Sequence, residues 1–356
     1  MRVRALALRL HLLVGVLTGA ALLVLGLSGA VLVLRPDFES SPRAGLPPAP
    51  VGAPPPSLDA LLEVARRRHP GFLVTSLSLP GGGTAARVGM LDPAGGALDV
   101  VIDPRSGAIV SSSWAERSPL HALRLLHTEL YLGARGRALV GILGLWLMLQ
   151  GITGLYLWWP LMRRPRWGFT IRWARPWPVV GRDLHKALGA ASLVFHLPIA
   201  ATGALLGMVA LPSGALDVGR APGRLAAAAS LAPAARSLET LGREAEHAMP
   251  GATITAFRFL PDGLVAVTMR VPGELDPRGA SFVLLQAAGG SVVSVSDARQ
   301  APWTAQLWAG ARALHVGAFG GFAARAFYVL GGIASVALAV SGYVLALARS
   351  HALGSP

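Results

Sequence analysis

RLHLLVGVLTGAALLVLGLSGAVLVLR, residues 9–35, sets a histidine at the lip of an apolar run long enough to cross a bilayer, which takes about 20 residues. The pattern occurs twice. His11 is followed by Gly15 and then by Ser28-Gly29, and His185 by Gly189 and then by Thr202-Gly203, at identical intervals. A second pair recurs as well: His127 lies as far before Thr153-Gly154-Leu155-Tyr156 as His315 lies before Ser341-Gly342-Tyr343-Val344. Histidines repeated in register at membrane edges are better explained by a paired ligand role than by chance.

Working outward from that stretch, the chain is 53% hydrophobic and 14% charged, too apolar for a soluble domain. Four segments are expected to span the membrane: 10–34, 138–159, 187–211 and 323–348. Arg2, Arg4 and Arg9 ahead of the first resemble a signal peptide. Its apolar part exceeds the roughly 7–15 residues of a signal core, however, and Arg35-Pro36-Asp37 follows where a small-residue cleavage site would stand. The net charge of +14 is explained by topology and requires no nucleic acid. Arg163, Arg164, Arg166, Arg172, Arg175 and Arg182, with no acid among them, fill residues 161–182 and mark that loop as cytoplasmic. The expectation is a multi-pass protein of a bacterial inner membrane, embedded in the lipid bilayer, with both termini cytoplasmic and two segments in the periplasm. The absence of cysteine excludes disulfides, thiolate metal sites and thiol catalysis.

The fold class is therefore membrane α-helical: four transmembrane helices in two helix–outer domain–helix repeats, with two small periplasmic α+β domains. The order reads transmembrane helix 1 (1–34), first outer domain (35–119), interfacial helix and transmembrane helix 2 (120–160), basic loop (161–182), transmembrane helix 3 (183–211), second outer domain (212–302), interfacial helix and transmembrane helix 4 (303–348), and tail (349–356). Ser57 and Ser237 suit helix N-caps, and Pro70-Gly71 and Pro250-Gly251 suit stops, at the same interval. Strand-like runs follow at 72–79, 98–102 and 108–112, and at 253–260, 264–271, 281–285 and 291–295. At about 80 residues each, the outer domains lie near the lower limit for a lone core. Packing on each other or on the membrane helices would help them.

Arg9-Leu10-His11…Gly15…Ser28-Gly29 and His127…Gly133…Gly136-Arg137…Thr153-Gly154-Leu155-Tyr156-Leu157-Trp158-Trp159-Pro160 resemble the PepSY-associated transmembrane family. Asp183-Leu184-His185…Gly189…Thr202-Gly203 and His315…Gly317…Gly320-Gly321…Arg325…Ser341-Gly342-Tyr343 resemble its continuation, so the likeness covers essentially the whole chain. The resemblance implies PepSY-like outer domains and kinship with iron-regulated inner-membrane proteins and siderophore reductases that bind two b-type haems. It thereby implies haem b as cofactor, a ferric siderophore as substrate, and a haem-dependent ferric-siderophore reductase activity.

On that implication the axial-ligand candidates are His11, His185, His127, His315 and His196. One arrangement places one haem between His11 and His185 at the cytoplasmic face and another between His127 and His315 at the outer face. Arg9, Arg182, Arg124 and Arg312 are near enough in sequence to neutralise propionates. The run from His11 to Arg35 corresponds to roughly 36 Å of helix, a long gap for electron transfer. His196, at membrane depth, offers a mid-membrane ligand partnering His127 or His315, although Leu22 occupies its equivalent place in the other half. The pairing stays open at this level.

Gly15 and Gly189, one turn beyond His11 and His185, are expected to make room for the haem macrocycle. The Ser/Thr-Gly pairs are expected to serve close helix packing. Trp158, Trp159, Trp167, Trp173 and Trp177 suit an interfacial aromatic belt. Trp303 and Trp308 suit either the belt or a substrate entrance. No P-loop, zinc-protease motif or dinucleotide fingerprint occurs, so electrons must come from a cytoplasmic donor or membrane quinol. The alternative reading is a haem-free scaffold whose outer domains bind a peptidase or another envelope protein. A transporter is disfavoured by only four spans and no embedded acid.

Overall fold

The computed structural model describes residues 2–35, 55–79, 85–160, 165–208, 236–274 and 278–354. In chain order the elements are α1 (Arg2–Leu32), α2 (Leu58–Arg68), β1 (Leu73–Ser78), β2 (Ala86–Leu91), β3 (Ala97–Ile102), β4 (Ile109–Trp114), α3 (Pro119–Glu129), α4 (Gly133–Trp158), α5 (Pro165–Phe169), α6 (Trp177–Met208), α7 (Leu238–Ala248), β5 (Thr253–Phe259), β6 (Leu264–Arg270), β7 (Ser281–Gln286), β8 (Val292–Ser296), α8 (Trp303–His315) and α9 (Gly321–Gly354). They gather into two units, one helical and one built on a sheet. The linkers expected at 47–56 and 221–235 lie almost wholly outside the described residues.

The helical unit contains four helices long and apolar enough to cross a membrane: Val3–Leu32, Gly133–Trp158, Trp177–Met208 and Gly321–Arg349. α1 packs most closely on α9, and α4 on α6; α1 against α4 and α6 against α9 complete the ring. Glycines draw the backbones together, since a Cβ on Gly207 would lie 2.6 Å from the Gly141 nitrogen and one on Gly332 2.6 Å from the Gly26 carbonyl oxygen. Tyr343 of α9 reaches into α1, its hydroxyl donating to the Val16 carbonyl and accepting from the Ala20 N–H. The third span begins ten residues before the position expected from hydropathy. Polar Arg182, Asp183 and Lys186 interrupt the apolar pattern without ending the helix, because buried Asp183 is held by Arg172 at 2.8 Å and Lys186 at 3.5 Å.

Short α3 and α8 each precede a span. The turn from α3 to α4 uses positive φ at Leu130, Tyr131 and Gly133, and the turn from α8 to α9 uses it at Gly317, Gly320 and Gly321. A Cβ on Gly136 would overlap the Glu129 carbonyl, so only glycine permits the first turn. Arg137 closes that turn on Glu129 at 3.2 Å. These turns aim His127 and His315 into the bundle.

The second unit departs from the expectation of two separate outer domains. All eight strands form one sheet of order β4-β3-β2-β1-β5-β6-β7-β8, antiparallel throughout and joined at a seam where Ser76, Leu77 and Ser78 pair with Arg258, Phe257 and Ala256. Two cores of marginal size merge into one: Leu61, Leu62 and Ala65 of α2 and Leu238, Leu241 and Ala245 of α7 bury against Leu77, Val88, Val100, Phe257, Val267 and Leu285. β2 was not evident from sequence because Gly89 in its interior weakens the strand pattern, although Arg87 and Gly89 alternate with buried Ala86, Val88 and Met90.

Ser57 and Ser237 cap their helices, accepting from the Ala60 and Thr240 N–H groups. The helices also cap each other: Glu239 accepts from the Leu58 N–H, and Asp59 from the Leu238 N–H at 3.0 Å. Burial, with Glu239 beside it, holds the Asp59 carboxyl above its ordinary range, against the pull of Arg66. A raised folded-state value means that folding takes up a proton between the ordinary aspartate range and the raised one, so stability falls as pH rises through that window. The unfolding temperature of the sheet unit is therefore expected to decline across this interval, and Asp59→Asn to flatten the decline.

Candidate functional site

Four imidazoles meet in two pairs, at opposite ends of the helical bundle. His11 near the start of α1 faces His185 near the start of α6, with ring centroids 6.3 Å apart and planes crossed at 88°. His127 of α3 faces His315 of α8, with centroids 6.2 Å apart and planes at 46°. Two imidazoles sharing one metal through facing nitrogens stand about 6.2 Å apart, from bonds of about 2.0 Å and roughly 1.1 Å between nitrogen and ring centre. Each pair therefore has the spacing to hold a single metal centre. Among the described residues no cluster of three or more His, Asp or Glu offers a fuller ligand set.

Every ring is oriented in the same way. His11 Nδ1 lies 3.0 Å from Thr153 Oγ1, His127 Nδ1 2.9 Å from Ser28 Oγ, His185 Nδ1 2.8 Å from Ser341 Oγ and His315 Nδ1 3.0 Å from Thr202 Oγ1. Each hydroxyl is 2.7 Å from the carbonyl four residues earlier in its own helix, at Leu149, Val24, Ala337 and Pro198. A hydroxyl that donates there accepts from the imidazole, which places the ring proton on Nδ1 and leaves the Nε2 lone pair free. Metal-binding histidines use this arrangement, the second nitrogen fixing tautomer and ring direction.

A family model for the PepSY-associated TM region matches residues 8–349, which includes all four histidines and all four hydroxyls. The chain belongs to the PepSY-associated TM family. No curated protein matches it.

In this PepSY-associated membrane protein, the glycine after each hydroxyl seats the ring. A Cβ on Gly154, Gly29 or Gly203 would lie 3.1, 3.0 or 3.0 Å from Cε1 of His11, His127 or His315, whereas on Gly342 it would lie 3.6 Å from that of His185. The Ser/Thr-Gly pairs are thus imidazole seats, a correction to the expectation of helix packing. Gly15 and Gly189 lie away from the imidazoles: a Cβ there would meet Gln150 Nε2 at 2.6 Å and Leu338 Cδ2 at 3.6 Å. Side chains lean toward the helix N-terminus, so each histidine tilts away from the residue four places later. Gly342→Ala is expected to leave the His185 ring in place. Gly203→Ala should displace His315 by a few tenths of an ångström and Gly203→Leu should expel it, read from the spectrum of a metal probe bound at the pair.

His196 is buried on α6, with Nδ1 3.0 Å from the Ser192 carbonyl and Nε2 2.8 Å from Ser335 Oγ. With Nδ1 donating and Nε2 accepting, both nitrogens are engaged, and the residue ties α6 to α9 between the two pairs. Neither His127 nor His315 depends on it for a partner. Arg9 and Arg182 are exposed close in sequence to His11 and His185, and half-buried Arg124 and Arg312 lie one turn before His127 and His315. Gln150, one turn before Thr153, was not singled out in sequence; its buried Oε1 has no hydrogen-bond partner among the described residues. His69 belongs to the sheet unit, bonded to Ser112 and in tilted ring contact with Phe72 at 5.5 Å. Tyr328 donates to the Leu314 carbonyl and so anchors the residue beside His315.

Proposed function

We propose that this chain is an inner-membrane protein that holds two haem b groups and carries electrons across the bilayer, from a cytoplasmic donor or membrane quinol to a periplasmic ferric chelate of the siderophore class. The observation that carries the reading is the double occurrence of one device: two imidazoles at metal-sharing distance, each with Nδ1 tied to a hydroxyl.

The residues fit haem. Haem b would be held by imidazole donors, and each pair would supply two. In this reading His11 and His185 hold one haem and His127 and His315 the other. When bound, haem b supplies reversible one-electron chemistry. The protein's part is to fix the imidazole tautomer, to exclude water with apolar helices, and to present Arg9 and Arg182 at one end and Arg124 and Arg312 at the other to propionates. The pairs stand closer than the full span: His127 meets α1 at Ser28, 17 residues beyond His11, or about 26 Å. Reduction of the chelate adds one electron to ferric iron. Ferrous iron, with its lower charge, is held less firmly by hard oxygen donors and is released.

The arginine-rich loop makes the His11 end cytoplasmic. The sheet unit is then periplasmic, in two helix–outer domain–helix repeats, and the identical strand order outward from the β1/β5 seam supports that layout. The test uses vesicles containing the purified protein, with a ferric hydroxamate and ferrozine enclosed and an impermeant reductant outside. Appearance of the ferrous–ferrozine colour only in vesicles carrying the haem-loaded protein is expected. No colour with haem-loaded protein would reject the transfer, and a chain that takes up no haem would favour the scaffold.

A further inference from the structure

We infer that Thr153, Ser341, Ser28 and Thr202 are positioning residues that lock the imidazole planes and make the two iron sites electronically unequal. The inference rests on the haem reading above and assigns a regulating role to hydroxyls within that site. An imidazole bound through Nε2 can turn about the metal–nitrogen bond, and the hydrogen bond at Nδ1 opposes that turn alongside the glycine seat. Here that bond ends on a hydroxyl itself anchored to a helix carbonyl at 2.7 Å, so the plane is referenced to a rigid backbone. Within each pair the two hydroxyls come from different helices: Thr153 of α4 and Ser341 of α9 for one, Ser28 of α1 and Thr202 of α6 for the other. The outcomes differ, 88° against 46°.

The angle has electronic consequences. Each imidazole raises the energy of one iron dπ orbital, the one perpendicular to its plane. Crossed planes act on both orbitals alike and leave them nearly degenerate, whereas oblique planes act more on one and split them. A low-spin ferric centre with crossed ligands gives a strongly anisotropic low-field paramagnetic signal, and a less crossed centre gives a more rhombic one. The His11/His185 site is the first kind and the His127/His315 site tends to the second.

The experiment is low-temperature electron paramagnetic resonance of the purified, full-length ferric protein, with haem counted by pyridine haemochrome. The unsubstituted protein is expected to show both signals. Ser341→Ala should shift or abolish only the strongly anisotropic signal, and Thr202→Val only the rhombic one, while Ser341→Thr and Thr202→Ser restore them. Haem at full stoichiometry with both signals unmoved in every variant would overturn the inference and leave the haem reading standing. Loss of both signals from a single substitution would also overturn it, by showing a role in the whole bundle. A haem-free unsubstituted protein would overturn the reading beneath it and the inference together.

Discussion

His11→Ala and His185→Ala are each expected to remove the same one of two haem centres, about half of the bound haem, and to leave the other spectrally intact. The two rings face one another at 6.3 Å and have no counterpart within reach of the second pair, which lies about 26 Å further along α1. Removing either imidazole would leave the site with one of its two paired imidazole donors. His127→Ala and His315→Ala should remove the other half. His196→Ala should remove neither, because both its nitrogens are engaged with Ser192 and Ser335. The readout is haem stoichiometry and the α-band of each purified variant. Loss of different centres by His11→Ala and His185→Ala would refute the pairing.

The second large effect concerns the sheet. Phe257→Ala is expected to destabilise the sheet unit by about 3–5 kcal/mol, the range for truncating a buried aromatic whose cavity cannot collapse. Phe257 has no exposed surface, pairs across the seam with Leu77, and lies in the core shared by both helices. Because that core is continuous, the loss should appear as a single cooperative transition involving residues from both 55–122 and 236–310, followed by hydrogen exchange. Two transitions, with only the second segment weakened, would mean that the halves fold independently.

The spans were legible in sequence because hydropathy sums over about 20 neighbouring residues and needs no knowledge of partners. So were the two outer helices, whose Ser57 and Ser237 caps act within three residues. The β1/β5 seam was not, since it joins strands about 180 residues apart and alternation marks a buried face without naming the neighbouring strand. The histidines announced themselves by recurrence. Their supports did not, because Thr153-Gly154 or Thr202-Gly203 has the composition of any close helix contact, and only geometry reveals that an imidazole fills the space. The signal was nonetheless present: a Ser/Thr-Gly pair stands 17 residues after His11 and His185 and 26 residues after His127 and His315.

The decisive measurement is the oxidised-minus-reduced optical spectrum of detergent-purified protein, expressed with haem supplementation and paired with a pyridine haemochrome count. A b-type α-band with about two haems per chain is expected from two bis-imidazole sites. A featureless spectrum would contradict them and leave the paired histidines as hydrogen-bonded struts in a haem-free scaffold.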